Sequence, residues 1–399
     1  MKYFFSAGEA SGDVHAAQVI RELRNIDREA VIKFLGGDDM ALAAGCVPLI
    51  HYERMAYMGF VDVVAHLPQV LRNLEDAKKA IREFCPDVVV LVDYPSFNLR
   101  LAEYAYGLGI PVHYYIAPKL WAWKEYRIRK LKKFVSRIYS ILPFEEAWFG
   151  ERGLKVEYVG NPSVEEVGRV LESMPPDADF RSLHSLDSRP ILALVPGSRV
   201  GEIKSNLPVM DAVARRHPEV QTVVAGAPSI SPELYAGLTS FPVIDASTLQ
   251  IMACARAALV TSGTASLESA LAGAPQVVCY RSVGWKPMHG LFQRILKIPF
   301  VSLPNLVGGE IDRETRRRVN DEVARSGVRG CVVPEMLMHH CNADEVDRQL
   351  TPLLSDGPER RRQLEGYERV KSRLLTPVPA AEVVARRLAE ALAQKHMKE

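Results

Sequence analysis

The chain is poor in the features that would assign it at a glance. Its six cysteines (Cys46, Cys85, Cys254, Cys279, Cys331, Cys341) are scattered, with no C-x-x-C pair. That spacing argues against a zinc ribbon or a disulfide framework and suits small core residues in a reducing compartment. No stretch approaches the roughly 18 uncharged residues of a membrane span, and the apolar start at 3–5 is too short for a secretory signal. The formal charge is only +2, so the overall charge balance does not point to a nucleic-acid partner. A G-x-G-x-x-G fingerprint is missing, which argues against a Rossmann dehydrogenase. Histidine and cysteine never gather at ligand spacing, since His339, His340 and Cys341 are adjacent and would diverge on a helix. No metal and no cofactor are expected, and the expected compartment is the cytoplasm.

What the chain does have is alternation. Strand-like runs (3–6, 31–35, 88–92, 112–116, 138–142) are separated by helical patterns, including 67–84 with Val70, Leu71, Leu74, Ala77 and Ile81 on one face. The uninterrupted run Val88–Val92 is that of a parallel strand covered on both faces. A polar, proline-containing stretch at 173–189 reads as a linker, after which the alternation resumes at Ile191. At 399 residues, two cores are the better prior. The expectation is an α/β protein of two Rossmann-like, doubly wound parallel-sheet domains facing a cleft: 1–172, then 190–378, with a helix at 379–398 able to return to the first. Residues 310–329, dense in charge with little apolar periodicity, read as a solvated insertion in the second domain.

Two small-residue loops in the second domain carry the strongest chemical signal. Pro196-Gly197-Ser198-Arg199 and Ser262-Gly263-Thr264 each follow an apolar run and each open a helical pattern. Backbone N–H groups and the helix dipole at such a junction favour anions, and a guanidinium adds the fork that phosphate prefers. Together they predict a site for a nucleotide diphosphate.

In the first domain the loop Gly8-Glu9-Ala10-Ser11-Gly12-Asp13 would repel a pyrophosphate and suits a neutral polyol such as a sugar. Alternatively, Ser11 is simply an N-cap. Asp93 ends the buried run 88–92, where desolvation would raise its pKa toward that of a general base. A turn aspartate bonding its own loop is the competing reading.

The stretch 118–137 sets Lys124, Arg127, Arg129, Lys130, Lys132, Lys133 and Arg137 beside Trp121 and Trp123 against one acid, Glu125. It suits a membrane surface or an anionic phosphate, or else a solvated helix face. The segment 284–297 places Met288, Leu291, Phe292, Ile295 and Leu296 on one face near Trp285, with core packing the alternative to lipid contact. The apolar stretch 55–64 is a third candidate.

The motifs just described, with Met58-Gly59-Phe60, Asp93-Tyr94-Pro95-Ser96-Phe97-Asn98, Trp121-Ala122-Trp123, Leu142-Pro143-Phe144-Glu145, Gly160-Asn161-Pro162, Ala265, Glu268 and Leu303-Pro304-Asn305-Leu306, resemble the lipid-A-disaccharide synthase family in order along most of the chain. The resemblance implies an inverting, metal-independent glycosyltransferase of the two-Rossmann (GT-B) type. It would join UDP-2,3-diacylglucosamine to 2,3-diacylglucosamine 1-phosphate through a β-1,6 bond. It implies that Asp93 is the base, that Glu9, Ser11 and Asn98 belong to the first-domain acceptor site, and that Gly197, Ser198, Arg199, Ser262, Gly263, Thr264, Glu268 and Asn305 hold UDP. It further implies a homodimer, possibly domain-swapped, peripheral on the cytoplasmic face of the inner membrane, with Trp121, Trp123, Lys130, Lys132, Lys133, Trp285 and Phe292 toward lipid. The chain departs from the family at 310–329 and at Met338, where glutamine is usual, and Ser96 stands where an acid is common. Rival readings of the fold are a lipid-linked N-acetylglucosaminyltransferase, a UDP-sugar 2-epimerase, or a non-catalytic nucleotide-sugar or lipid binder.

Overall fold

A computed structural model describes the chain except for residues 56–66, 229, 246–247, 282–297 and 397–399. The 55–64 and 284–297 stretches, with Trp285 and Phe292, therefore lie wholly or almost wholly outside the described residues. The chain divides into two units, residues 1–162 with 376–399, and residues 163–375.

In the first unit, β1 (Lys2–Ala7), β2 (Val31–Gly36), β3 (Ile50–His51), β4 (Val88–Val92), β5 (Val112–Tyr115), β6 (Arg137–Ser140) and β7 (Glu157–Tyr158) form one sheet. Among the described residues every pairing is parallel, in the order β3-β2-β1-β4-β5-β6-β7. The strands read as apolar runs because helices cover both faces. Tyr3, Phe5, Val88 and Val90 pack into one core, and Phe4, Val89 and Leu91 into the other. The first core is closed by a distant segment. The helix Ala380–His396 packs Val384, Ala385, Leu388 and Leu392 with Ala16, Ala17, Ile20 and Leu23 of the helix Ala10–Ile26. An ion pair from Arg387 to Glu157 (2.8 Å) ties its far side to β7.

In the second unit, β8 (Ile191–Val195), β9 (Gln221–Ala225), β10 (Val243–Ile244), β11 (Ala255–Thr261), β12 (Gln276–Tyr280) and β13 (Glu335–Leu337) form a second parallel sheet, ordered β10-β9-β8-β11-β12-β13. Both orders reverse direction beside the first strand of the unit, between β1 and β4 and between β8 and β11. At such a switch point the loops leaving adjacent strands diverge to opposite faces and open a crevice.

Three expectations are corrected. The 173–189 stretch is not a bare linker: it contains a helix, Asp177–Leu183, that buries Phe180. The charged block 310–329 is not merely solvated. It contains the helix Arg313–Ser326, capped by Asp312 accepting from Thr315 N at 2.6 Å, with Thr315, Val319 and Val323 buried. Arg329, just beyond, is itself buried and donates to Pro299 O and, at 3.1 Å, to Asn320 Oδ1. Of the cysteines, only Cys279 and Cys341 are buried, while Cys46, Cys85 and Cys331 are exposed.

Candidate active site

Asp93 sits directly after β4, and the loop after β1 leaves beside it because Ala7 and Val92 are register partners. Asp93 and Tyr94 both adopt left-handed backbone conformations (φ 44° and 47°), uncommon for non-glycine residues and costly unless the surroundings impose them. Asn98 imposes much of it. Fully buried, it donates Nδ2 to Asp93 O (2.8 Å), Val92 O (3.2 Å) and Ser6 O (3.3 Å), and its Oδ1 accepts from Ser6 Oγ at 2.8 Å. Tyr114 adds a hydroxyl donated to Asp93 O at 2.5 Å. Tyr94 donates to Met55 O at 2.6 Å and lays its ring over Gly8, where any Cβ would collide with it. The Asp93 carboxyl is thus held at the crevice by its backbone. Burial raises its pKa, against the lowering effects of Lys119 and of the Tyr94 N–H.

This assigns Asn98 differently from the expectation of an acceptor contact: its amide is taken up by protein groups and positions Asp93. Asp13 has a similar role. It turns into the protein to accept from Gly37 N (2.6 Å) and Asp39 N (3.0 Å), joining the first helix to the loop after β2. The helix begins at Ala10 with Glu9 as its backbone N-cap, so Ser11 is not the cap and remains exposed in the first turn.

In the second unit Val195 and Val260 are register partners, so the two small-residue loops emerge side by side. Gly197 has φ 115°, and a Cβ there would strike the Glu202 side chain. Arg199 caps the helix Val200–Ala214 with its backbone and is exposed. Glu202 reaches back over this helix N-terminus, accepting from Arg199 Nη1 at 2.9 Å and from Ser198 N at 3.3 Å. An anion thus already occupies part of the cradle. Gly263 caps the helix Thr264–Leu271, with Gly263 and Thr264 exposed, and Ser262 Oγ donates to Val301 O at 3.1 Å. Glu268 lies one turn into that helix with its pKa raised to about 7, by burial first and by Glu166 second.

Asn305, expected to touch UDP, is fully buried with its side chain engaged by protein. Its Oδ1 accepts from the N–H groups of Cys331, Val332 and Val333, and its Nδ2 donates to Val333 O and Glu335 Oε1, both at 2.8 Å. Glu335, which no motif in the sequence marks, is the other half of this knot. Also fully buried, it accepts from Val301 N, Ser302 N and Ser302 Oγ. The knot fixes the segment leading into the helix Leu303–Gly308 and binds residues 331–333, just after the 310–329 block, to β13.

Trp121 is also corrected: it is 4% exposed and donates Nε1 to Glu145 Oε1 at 2.8 Å, so it does not face lipid. Trp123 is 57% exposed with Lys124 over its ring. Lys130 pairs with Glu103 at 2.8 Å, and Lys132 and Lys133 are exposed. Among the described residues no helix is long and apolar enough to cross a membrane.

Two parallel-sheet α/β domains in one chain, each with its loops at a switch point, define the GT-B class of fold. Solved structures agree: a UDP-GlcNAc 2-epimerase from Neisseria meningitidis (TM-score 0.58, 13% identity, 98% of this chain and 100% of that one) and the calicheamicin glycosyltransferase CalG4 (TM-score 0.53, 15% identity, 99% and 98%). The model of the lipid-A-disaccharide synthetase family matches residues 3–320. The lipid-A-disaccharide synthase of Myxococcus xanthus is 38% identical over 92% of each chain, and that of Acidobacterium capsulatum 33% identical over 98% of this chain and 96% of its own. The chain belongs to this family and is a glycosyltransferase.

Proposed function

We propose that the protein transfers the sugar of UDP-2,3-diacylglucosamine to the 6-hydroxyl of 2,3-diacylglucosamine 1-phosphate, with inversion, releasing UDP. The observation that carries this reading is the desolvated Asp93 carboxyl, locked at a switch point by Asn98 and Tyr114. Asp93 takes the proton as the acceptor oxygen attacks the anomeric carbon. Negative charge grows on the departing diphosphate, and Arg199, Ser198 N–H and the loop at Gly263 stabilise it with a fixed field. Glu268, Ser262 and Thr264 line the same nucleotide end. Glu9 and Ser11 take acceptor hydroxyls beside Asp93. Both substrates are acylated, so the protein works at the cytoplasmic face of the inner membrane, with Trp123, Lys132 and Lys133 toward anionic lipid, and, as the family resemblance implies, as a homodimer.

The experiment is a product assay with both acylated sugars, read by mass spectrometry. A tetra-acylated disaccharide 1-phosphate with equimolar UDP supports the reading. Epimerised UDP-sugar, or UDP binding without turnover, overturns it. Charge reversal at Lys132 and Lys133 should weaken sedimentation with anionic vesicles, and light scattering should give twice the chain mass.

A further inference from the structure

The charged block 310–329 ends in a clamp that the reaction above leaves unused. Arg329 is buried and donates Nη1 to Pro299 O and Nη2 to Asn320 Oδ1 at 3.1 Å. One planar guanidinium thus ties the helix Arg313–Ser326 to the segment 299–302. The Arg329 backbone is bridged to Glu335, donating N to Glu335 O at 3.3 Å and accepting from Glu335 N at 2.5 Å. Glu335 in turn grips the same segment two residues further on, accepting from Val301 N at 3.1 Å and Ser302 N at 2.9 Å. The segment is held at both ends.

The carbonyl of Val301 carries the restraint onward, because it accepts the Ser262 hydroxyl at 3.1 Å. A serine hydroxyl has one hydrogen, and here it is given to the protein. A diphosphate offers only acceptors, so Ser262 Oγ in this arrangement has no proton for it. What Ser262 can do is fix the next residue. Gly263 has φ 139°, and a Cβ there would meet nothing within 4 Å, so the turn faces open space with no side chain to hold it. Two hydroxyls pin it: Ser262 Oγ on Val301 O before it, and Ser266 Oγ on Gly263 O at 2.7 Å after it. Ser266 belongs to the helix that the turn opens. Ser262 leans on the segment that Arg329 and Glu335 hold.

We propose that Arg329 and Ser262 are positioning residues for the nucleoside diphosphate: Arg329 holds the segment 299–302, Val301 on that segment holds Ser262, and the block 310–329 thereby sets the Gly263 turn that receives the diphosphate. A free glycine turn samples many conformations, and excluding them on binding costs affinity. Pinning the turn removes part of that cost before UDP arrives. The effect falls on UDP and on the donor sugar nucleotide. It spares the acceptor, whose assigned residues Glu9 and Ser11 belong to the first unit. This rests on the reading of the Gly263 loop as part of the nucleotide site.

The test is a double-mutant cycle in the full-length protein, read by UDP calorimetry and by KM for each sugar. Ser262→Ala should weaken UDP about fivefold, the worth of one hydrogen bond, raise the donor KM and leave the acceptor KM unchanged. Arg329→Met keeps the length of the buried stem but removes both donors, and should shift UDP affinity and donor KM the same way. The double variant should bind no more weakly than the weaker single, since both changes cut one path. Should Arg329→Met fold poorly, Asn320→Ala, at an exposed side chain, takes its place in the cycle with the same expected pattern. Losses that add overturn the inference, because Ser262 then acts on UDP by itself. Unchanged UDP affinity in the folded Arg329→Met or Asn320→Ala protein overturns it too. If wild type binds no UDP, the reading of the loop fails; if wild type binds and the cycle is additive, only the positioning role fails.

Discussion

Glu202 holds Arg199 across a helix N-terminus, Oε1 to Nη1 at 2.9 Å, while its other oxygen takes Ser198 N at 3.3 Å. Under the proposed function, the carboxylate occupies donors assigned to the diphosphate, and UDP would have to displace it. Glu202→Gln should tighten UDP about fivefold by calorimetry, the factor carried by the ~1 kcal/mol typical of a charge at a helix terminus. Arg199→Ala should weaken UDP. Stability should change by less than ~1 kcal/mol in the first variant, because the pair is half-exposed. Equal UDP affinity in Glu202→Gln and wild type would remove the competition argument.

Asp93→Asn should lower kcat by about 10²–10⁴-fold, the usual worth of a general base, with UDP affinity retained. The same variant should be more stable than wild type at neutral pH. The folded pKa of Asp93 is raised, so the fold prefers the protonated acid and its stability falls as pH climbs from the unfolded value through the folded one. Asparagine removes that penalty. Thermal melts from pH 4 to 8 should show wild type losing ground to the variant as pH rises.

Asn98→Ala should cost about 3 kcal/mol in urea unfolding, since four hydrogen bonds go, three of them buried, Ser6 and Val92 lose their bonds to the amide, and Asp93 O is left to Tyr114. Activity should fall further than the unfolded fraction explains, because the backbone at Asp93 loses its clamp. Loss of stability with kcat intact in the folded fraction would make Asn98 merely structural.

His217 links the end of one helix to another, with Nε2 at 2.6 Å from Asp347 and Nδ1 at 2.9 Å from Glu219. Burial works to lower its pKa, but the two carboxylates outweigh it and the net shift is upward. Its stabilisation is therefore complete below about pH 6.5, the unfolded value, and is lost as pH rises through the folded one. Asp347 is shifted down and needs its charge, so the pair weakens again in acid, as pH falls through the lowered value. His217→Gln should flatten the melting temperature between pH 6 and 8. The wild-type excess should be ~1 kcal/mol at most, as the Glu219 side of the contact is exposed.

The sheets were legible because strands covered on both faces are written as apolar runs: Val88–Val92 and Ile191–Val195 admit little else. The switch-point loops were legible because glycine and serine between strand and helix are not needed for packing. In the sequence Asn98, Asn305 and Trp121 read as ligand or lipid contacts, because a sequence gives the chemical type of a side chain but not whether other protein groups already engage it. Glu335 passed unnoticed for the same reason, although a carboxylate in an otherwise apolar edge strand was the available signal. The helix Arg313–Ser326 is hard to see in the sequence because its buried stripe, among the described residues, is Thr315, Val319 and Val323, too narrow to stand out among the six arginines and five acids of the 310–329 block.

The helix Ala380–His396 gives the first sheet a wall that is translated after the whole of the second unit. While the ribosome is still working through β8–β13, the side of the helix Ala10–Ile26 carrying Ala16, Ile20 and Leu23 has no cover, so the half of the molecule begun first is completed only after the other. A lesion in the helix Ala380–His396 should therefore surface as a defect around Asp93, many residues away along the chain, before it disturbs the second unit.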